Sequence, residues 1–248
     1  MRTIQTQFLV DQMILKGELC LPDTPCPPLV VGSHGLEGSR FSAKQQVLSR
    51  LLPKNGIAFF RFDHRACGDS QGDFVKDTSL EKRTEDYLAA VTHVRGMNLT
   101  SGQLGVFGSS MGGATCINAW QTLEKTFGRL CGGVLCAAPL KSRTIHNIPT
   151  QGTETRPDLP VSFFKNHLLF DLTDRAAVLH HVLVFHGDAD DIVPVENAQI
   201  LLENMQSPKH AVIQENGDHP MSSPVHQAEF EAQTMAWFRR VFFQSDTA

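Results

Sequence analysis

The sequence predicts an α/β protein. It reads as a mostly parallel eight-stranded sheet with an antiparallel N-terminal hairpin, helices on both faces and a short lid insertion. Three observations carry this. β-rich runs alternate with helix-length runs along the 248 residues. The first two runs are close enough in sequence to pair as a hairpin. An apolar fraction of 41% with 19% charged residues is that of an ordinary globular chain, and a chain of this length can bury one large core. Residues 1–248 are therefore expected to form a single domain.

The elements follow in order. Thr3–Val10 and Met13–Leu21 are the hairpin strands. Leu29–Ser33 is a short apolar strand, followed by a helix over Ala43–Lys54. Ile57–Phe62 returns to the sheet, and Leu80–Arg95 crosses over it. Gln103–Phe107 is the next strand, with the helix Met111–Phe127 behind it. Gly132–Ala137 and His181–His186 are apolar runs of strand length, and the second leads to a helix over Val195–Met205. His210–Gln214 and the helix Ser223–Phe243 complete the chain. Between the sixth and seventh strands, residues 139–180 form the longest irregular stretch, with Pro149, Pro157 and Pro160 and then the apolar cluster Phe163, Phe164, Leu168, Leu169 and Phe170. An irregular segment this long in a compact domain is usually functional or disordered, and the aromatic cluster argues against disorder. It reads as a small lid; the plainer alternative is a surface excursion packed on the sheet.

Composition excludes several function classes. The net charge is −4 and no basic block stands out, which argues against nucleic acid as a partner. The first residues lack the apolar core of a signal peptide, and no apolar run is long enough to span a bilayer. Cys20, Cys26, Cys67, Cys116, Cys131 and Cys136 are scattered, with no Cys-x-x-Cys pair. That spacing argues against a metal site and fits reduced thiols in a cytoplasmic protein.

Two segments read Gly-x-Ser-x-Gly, a pattern that chance alone places in about one chain in ten of this size. One is Gly108-Ser109-Ser110-Met111-Gly112; the other is Gly68-Asp69-Ser70-Gln71-Gly72. A nucleophile elbow needs a strand immediately before the serine and a helix immediately after, so that the turn lifts the hydroxyl clear of the sheet. Ser110 has both, whereas Ser70 follows a loop with no helix start at once. Ser109 is the alternative attacking group, but the middle position of the motif favours Ser110.

An acyl-transfer site also needs donors for the oxygen that gains charge. The N–H of Met111, at a helix N-terminus, is one candidate. The N–H of Leu36 is the other, in the loop Ser33-His34-Gly35-Leu36-Glu37-Gly38-Ser39. The plain alternative there is a Gly-rich turn capped by His34. His34 and Gly35, with Phe163, Phe164 and Leu168 of the lid, are the candidate substrate-binding residues. An acid at the end of the strand Val182–His186 would stand at the carboxyl edge of the sheet, where ligands bind in such folds. Asp188, Asp190 and Asp191 compete for that role. His219 follows Asn216-Gly217 and is the candidate base, in the order nucleophile, acid, base.

With these residues in place, the chain resembles the α/β-hydrolase superfamily. The resemblance is to its small intracellular esterase and acyl-hydrolase branch, which includes serine-aminopeptidase-like and cinnamoyl-esterase-like proteins. It runs nearly end to end. Leu29–Gly35 resembles the family's strand and oxyanion loop. Phe60–Gly72 resembles its Asp-x-Arg-Gly-x-Gly-x-Ser segment, which makes the second serine motif a structural loop. Gly187–Pro194 matches its Gly-x-x-Asp-x-x-Val-Pro, and so implies Asp190 as the acid, leaving Asp188 to shape the turn and Asp191 to cap the helix near Pro194. Ser110 and His219 fall on the nucleophile and base. Ala66 departs from the usual glycine, and a positive φ there would strain it by about 1 kcal/mol.

The expected function is cleavage of a carboxylic ester through an acyl-enzyme, with a small to medium apolar acyl or aryl substrate and no cofactor. Thioester cleavage, amide cleavage and acyl transfer use the same groups. A non-catalytic binding protein on the same scaffold is the reading from a different class.

Overall fold

The computed structural model describes residues 1–148, 150–152 and 158–244. Pro149 and Pro157 of the predicted insertion lie outside them. Eight strands form one sheet: β1 (Arg2–Val10), β2 (Met13–Leu21), β3 (Leu29–Ser33), β4 (Ala58–Phe62), β5 (Leu104–Ser109), β6 (Gly132–Cys136), β7 (Val182–Gly187) and β8 (Lys209–Gln214). Their spatial order is β1-β2-β4-β3-β5-β6-β7-β8. β1 pairs antiparallel with β2, and β2 antiparallel with β4; every later pairing is parallel.

The helices are α1 (Ala43–Lys54), α2 (Phe74–Asp77), α3 (Leu80–Gly96), α4 (Met111–Phe127), α5 (Val161–His167), α6 (Thr173–Ala176), α7 (Glu196–Asn204) and α8 (Pro224–Phe243). Alternation along the strands assigns each apolar side chain to one of two cores. Leu29 and Val31, Phe60 and Phe62, and Val182 and Val184 join Tyr87 of α3, Trp120 of α4 and Leu201 of α7. Val30, Phe59, Leu183 and Phe185 join Leu48 of α1 and Phe230 and Phe238 of α8 on the other face. Burial on both faces is why the parallel strands read as continuous apolar runs.

Two differences from the sequence reading bear on function. β5 extends to Ser109, because Gly108 and Ser109 stay in register with Leu135 and Cys136. It thereby carries the chain to the carboxyl edge of the sheet. The 139–180 stretch is less irregular than its sequence suggests. It contains a 3₁₀ turn (Ser142–Thr144), α5, α6 and a bridge between Lys141 and Asp171. Helices of one or two turns are too short to leave a periodic signal.

The loop after β4 is structural. The Asp63 carboxylate accepts from the backbone N–H groups of Arg40 and Asp69 and pairs with the Arg40 guanidinium. The Ser70 hydroxyl accepts from Lys16 N–H at 2.9 Å and donates to the Asp63 carbonyl at 2.8 Å. Asp73 caps α2 three residues after Ser70, with no elbow geometry. Ala66 sits at φ 61°. Ala66→Gly removes left-handed strain of about 1–2 kcal/mol against an entropic cost of about 0.5–1 kcal/mol. It is expected to raise unfolding stability by roughly 0.5–1 kcal/mol in urea titration; a loss would show that the alanine methyl packs too well to spare.

Candidate active site

Three loops meet at the carboxyl edge of the sheet. The first is the turn between β5 and α4. Ser110 has φ 53° and ψ −125°, a sparsely populated conformation that costs a non-glycine residue about 1–3 kcal/mol. Its N–H donates to the Cys136 carbonyl at 2.8 Å, which ties the turn to β6. The first turn of α4 presses on the end of β3: a Cβ on Gly112 would lie 2.1 Å from the Ser33 carbonyl oxygen. Only glycine allows that approach.

The acid and base loops follow β7 and β8. They cross so closely that a Cβ on Gly187 would stand 2.0 Å from the Gly217 carbonyl oxygen. Backbone bonds from Asp188 to Gln214 and from Ala189 to Gly217 lock them together. Asp188 adds a third tie, its Oδ1 accepting from Asn216 N–H at 2.6 Å.

Asp190 is the aspartate that faces the histidine. Its Oδ1 accepts from the N–H groups of Ile192 (3.0 Å) and Val193 (2.8 Å), which fixes the carboxylate plane. Its Oδ2 accepts from His219 Nδ1 at 2.7 Å. With Nδ1 donating, Nε2 of His219 is the acceptor, and the Ser110 hydroxyl stands 3.0 Å away as its donor. Burial opposes ionisation of Asp190, but the hydrogen bonds from His186, His219 and the Val193 amide outweigh it and hold the carboxyl well below its ordinary range. His186 was not singled out from sequence. Its Nε2 donates to the Val193 carbonyl at 2.7 Å and lies 3.5 Å from Asp190 Oδ2, bracing the acid loop from beneath.

Asp191 does not cap a helix. α7 begins at Glu196 without a side-chain cap, and Asp191 instead accepts from Asn147 Nδ2 through its backbone and side-chain oxygens.

Ser110 and His219 open into a cavity of about 770 Å³. Leu36 and Met111 both line it, and neither of their N–H groups has an acceptor among the described residues. Gly35 lines it too, and a Cβ placed on it would stand 3.5 Å from Ser110 Cβ. Phe164 and Leu168 contribute apolar wall, as do Leu169 and Phe170 of the predicted cluster.

Two of the candidate substrate-binding residues are elsewhere. Phe163 is 2% exposed and packs on Phe74 and Phe164 in the core. Neighbours on a helix diverge by about 100°, so only one of two consecutive phenylalanines can face the cavity. His34 is 1% exposed and turned beneath the loop. Its Nε2 accepts from His64 N–H at 3.1 Å and its Nδ1 bonds the Gly35 carbonyl at 2.7 Å. That is the capped-turn alternative. Sequence reasoning also missed Ile145 and Val161 in the wall, which lie outside the aromatic cluster that drew attention to the insertion.

This arrangement is a hydroxyl, an imidazole and a buried carboxylate in a relay, beside two unused amide donors and an apolar cavity. Chemically it can deprotonate a hydroxyl and stabilise an oxyanion. Among the described residues, no helix is long and apolar enough to cross a membrane.

Among solved structures, the Pyrococcus furiosus esterase Pf2001 superposes with a TM-score of 0.78 at 18% identity, covering 96% of this chain and 90% of that one. Est1E from Butyrivibrio proteoclasticus, solved with ferulic acid bound, gives 0.76 at 21% identity over 93% and 99%. At these identities the likeness is one of fold. A thiohydrolase, AneE, of Aspergillus aculeatus is 35% identical over 121 residues, 46% of this chain and 36% of that protein. Protein phosphatase methylesterase 1 of Schizosaccharomyces pombe is 32% identical over 124 residues, 49% and 35% respectively. The chain thus spans about a third of the length of these two relatives. The sheet order and the end-to-end superpositions make the fold that of an α/β-hydrolase. The model of the prolyl oligopeptidase family matches residues 40–245, a stretch that includes Ser110, Asp190 and His219, and the chain belongs to that family.

Proposed function

We propose that this protein is a serine hydrolase that cleaves carboxylic esters through an acyl-enzyme. The observation that carries the reading is the relay from Asp190 through His219 to Ser110, at 2.7 and 3.0 Å, opening on an apolar cavity. Ser110 Oγ attacks the ester carbonyl while His219 Nε2 takes its proton. Asp190 holds the imidazole in the required tautomer and stabilises the imidazolium. The N–H groups of Leu36 and Met111 receive the oxyanion. His219 then protonates the leaving alkoxide as the C–O bond breaks. A water, deprotonated by His219, attacks the acyl-serine, releasing the acid and restoring Ser110.

The cavity volume lies within the range of small-molecule sites, and its wall suits an apolar acyl or aryl group of modest size. Residues 139–180 serve in this reading as a lid within a single domain. A cytoplasmic location belongs to the same proposal and rests on six unpaired cysteines, four of them buried. The relative named as a thiohydrolase motivates a second arm, thioester cleavage on the same groups.

The test is labelling by a fluorophosphonate probe, followed by a screen of acyl esters, acyl thioesters and aminoacyl amides. Labelling with ester or thioester turnover is expected; absence of labelling in folded protein would leave a binding role. The wall makes a separate prediction. Phe164→Ala and Leu168→Ala should raise KM and shift chain-length preference by about 1–3 kcal/mol. Phe163→Ala should instead cost about 3 kcal/mol of stability and leave substrate ranking unchanged, as read by thermal melts beside the ester series.

A further inference from the structure

One buried cation lies outside the relay and against the loop that carries Leu36. Arg83, on α3, is 1% exposed. Its Nη2 donates to the carbonyl of His34 at 2.5 Å and to that of Gly35 at 3.3 Å. No carboxylate lies within ion-pair distance of it among the described residues. The nearby Asp86 is taken by Arg65, which donates to it from both Nε and its backbone N–H. Among the described residues no nitrogen or oxygen acceptor stands within hydrogen-bond distance of Arg83 Nε or Nη1, and the neighbour on that side is the uncharged Cys67 thiol. A guanidinium stays charged even when buried, and an uncompensated buried charge is costly. Packing alone would be served better by an apolar side chain.

The Gly35 carbonyl is the important contact. That C=O and the Leu36 N–H are the two ends of one planar trans peptide, so holding one end sets where the other points. The Gly35 oxygen has a second donor. His34 Nε2 accepts from His64 N–H, which leaves the proton on Nδ1, 2.7 Å from the same oxygen. Gly38 N–H donates to it as well, at 3.2 Å. Of these three donors only the Arg83 guanidinium carries a charge, and the charge polarises the peptide and strengthens the N–H as a donor at its far end. The positive charge itself also favours an anion in a site shielded from water.

We propose that Arg83 is a positioning residue of the oxyanion site: it holds the Gly35–Leu36 peptide with its N–H toward the cavity and biases it toward negative charge. This rests on the reading of Ser110 as nucleophile and Leu36 as oxyanion donor. The effect is confined to the transition state, because a ground-state ester oxygen carries little charge.

The experiment compares wild type, Arg83→Met and Arg83→Gln on one soluble acyl ester, with kcat normalised to sites titrated by a fluorophosphonate. Inhibition by an alkyl trifluoromethyl ketone is measured alongside, because its hemiketal with serine carries the same oxyanion. Losing an oxyanion donor outright costs about 10²–10³ in kcat, so weakening one should cost about tenfold. Both variants are expected to lose that factor in kcat and the same factor in ketone affinity, with KM within about twofold. If Arg83→Met fails to fold, Arg83→Gln, which stays polar but lacks the charge and the reach to the Gly35 carbonyl, decides the matter. Active variants with unchanged kcat and ketone affinity would overturn the proposal, as would losses that appear in KM alone. A folded wild type that neither hydrolyses nor labels would overturn the hydrolase reading and this proposal with it.

Discussion

Ser110→Ala is expected to abolish fluorophosphonate labelling and to lower kcat by roughly 10⁴–10⁶. The hydroxyl it removes is the one within 3.0 Å of His219 Nε2, and the strained turn that presents it has no other evident use. Relief of the positive φ does not follow, since alanine is as crowded there as serine. Melting temperature should therefore change little while activity disappears. Ser70→Ala is the control. Its hydroxyl bridges Lys16 and Asp63 in the loop after β4, so its loss should cost about 1 kcal/mol of stability and leave labelling intact. Labelling that survives Ser110→Ala and vanishes in Ser70→Ala would reverse the assignment.

Asp190→Asn should keep the fold and lower kcat by up to about 10⁴. An amide nitrogen at the Oδ2 position would donate to His219 Nδ1 rather than accept from it, leaving the imidazole in the wrong tautomer to receive the Ser110 proton. The bonds from Ile192 and Val193 can persist on the amide oxygen, so the loop should hold. Asp188→Asn and Asp191→Asn should each cost less than about tenfold, because asparagine keeps an acceptor for Asn216 in the first case and for Asn147 in the second. Steady-state kinetics on the three variants rank them, and an inactive Asp191→Asn beside an active Asp190→Asn would sink the assignment. The acid also leaves a mark on stability. Its carboxyl is held below the ordinary value in the folded state, so its ionised form stabilises the fold above about pH 4, the unfolded value. That contribution is lost as pH falls further toward the depressed folded value. The stability gap between wild type and Asp190→Asn should narrow in acid denaturation curves below about pH 4.

The parallel strands were legible because burial on both faces leaves unbroken apolar runs such as Val182–Phe185. The long helices α1, α3, α4 and α8 were legible for the matching reason: several turns repeat the same pattern. α5 and α6 were not. Each is stabilised by contacts that residues far along the chain supply, such as Phe74 against Phe163, and a one- or two-turn helix has too few residues to show a period.

The sequence by itself determined the order of strand, turn and helix around Ser110 and the separation of that serine from Ser70. Those are local properties: a strand end, a tight turn and a helix start occupy contiguous residues. It also determined the succession of serine, acid loop and histidine. Which residues meet was decided by tertiary structure. Asp190 faces His219 because the β7 and β8 loops cross at Gly187 and Gly217. Phe164 faces the cavity and Phe163 the core because α5 docks with one side down. His34 lies under the loop that carries Leu36 because His64, thirty residues on, donates to it. Arg83 gave no sign in the sequence, where an arginine on a charged helix reads as solvated. Its burial follows from α3 packing against α4 and β1, which turns Arg83 toward the residues just past β3; side-chain direction in such packing depends on rotation of the helix about its axis, which periodicity constrains only to within a face.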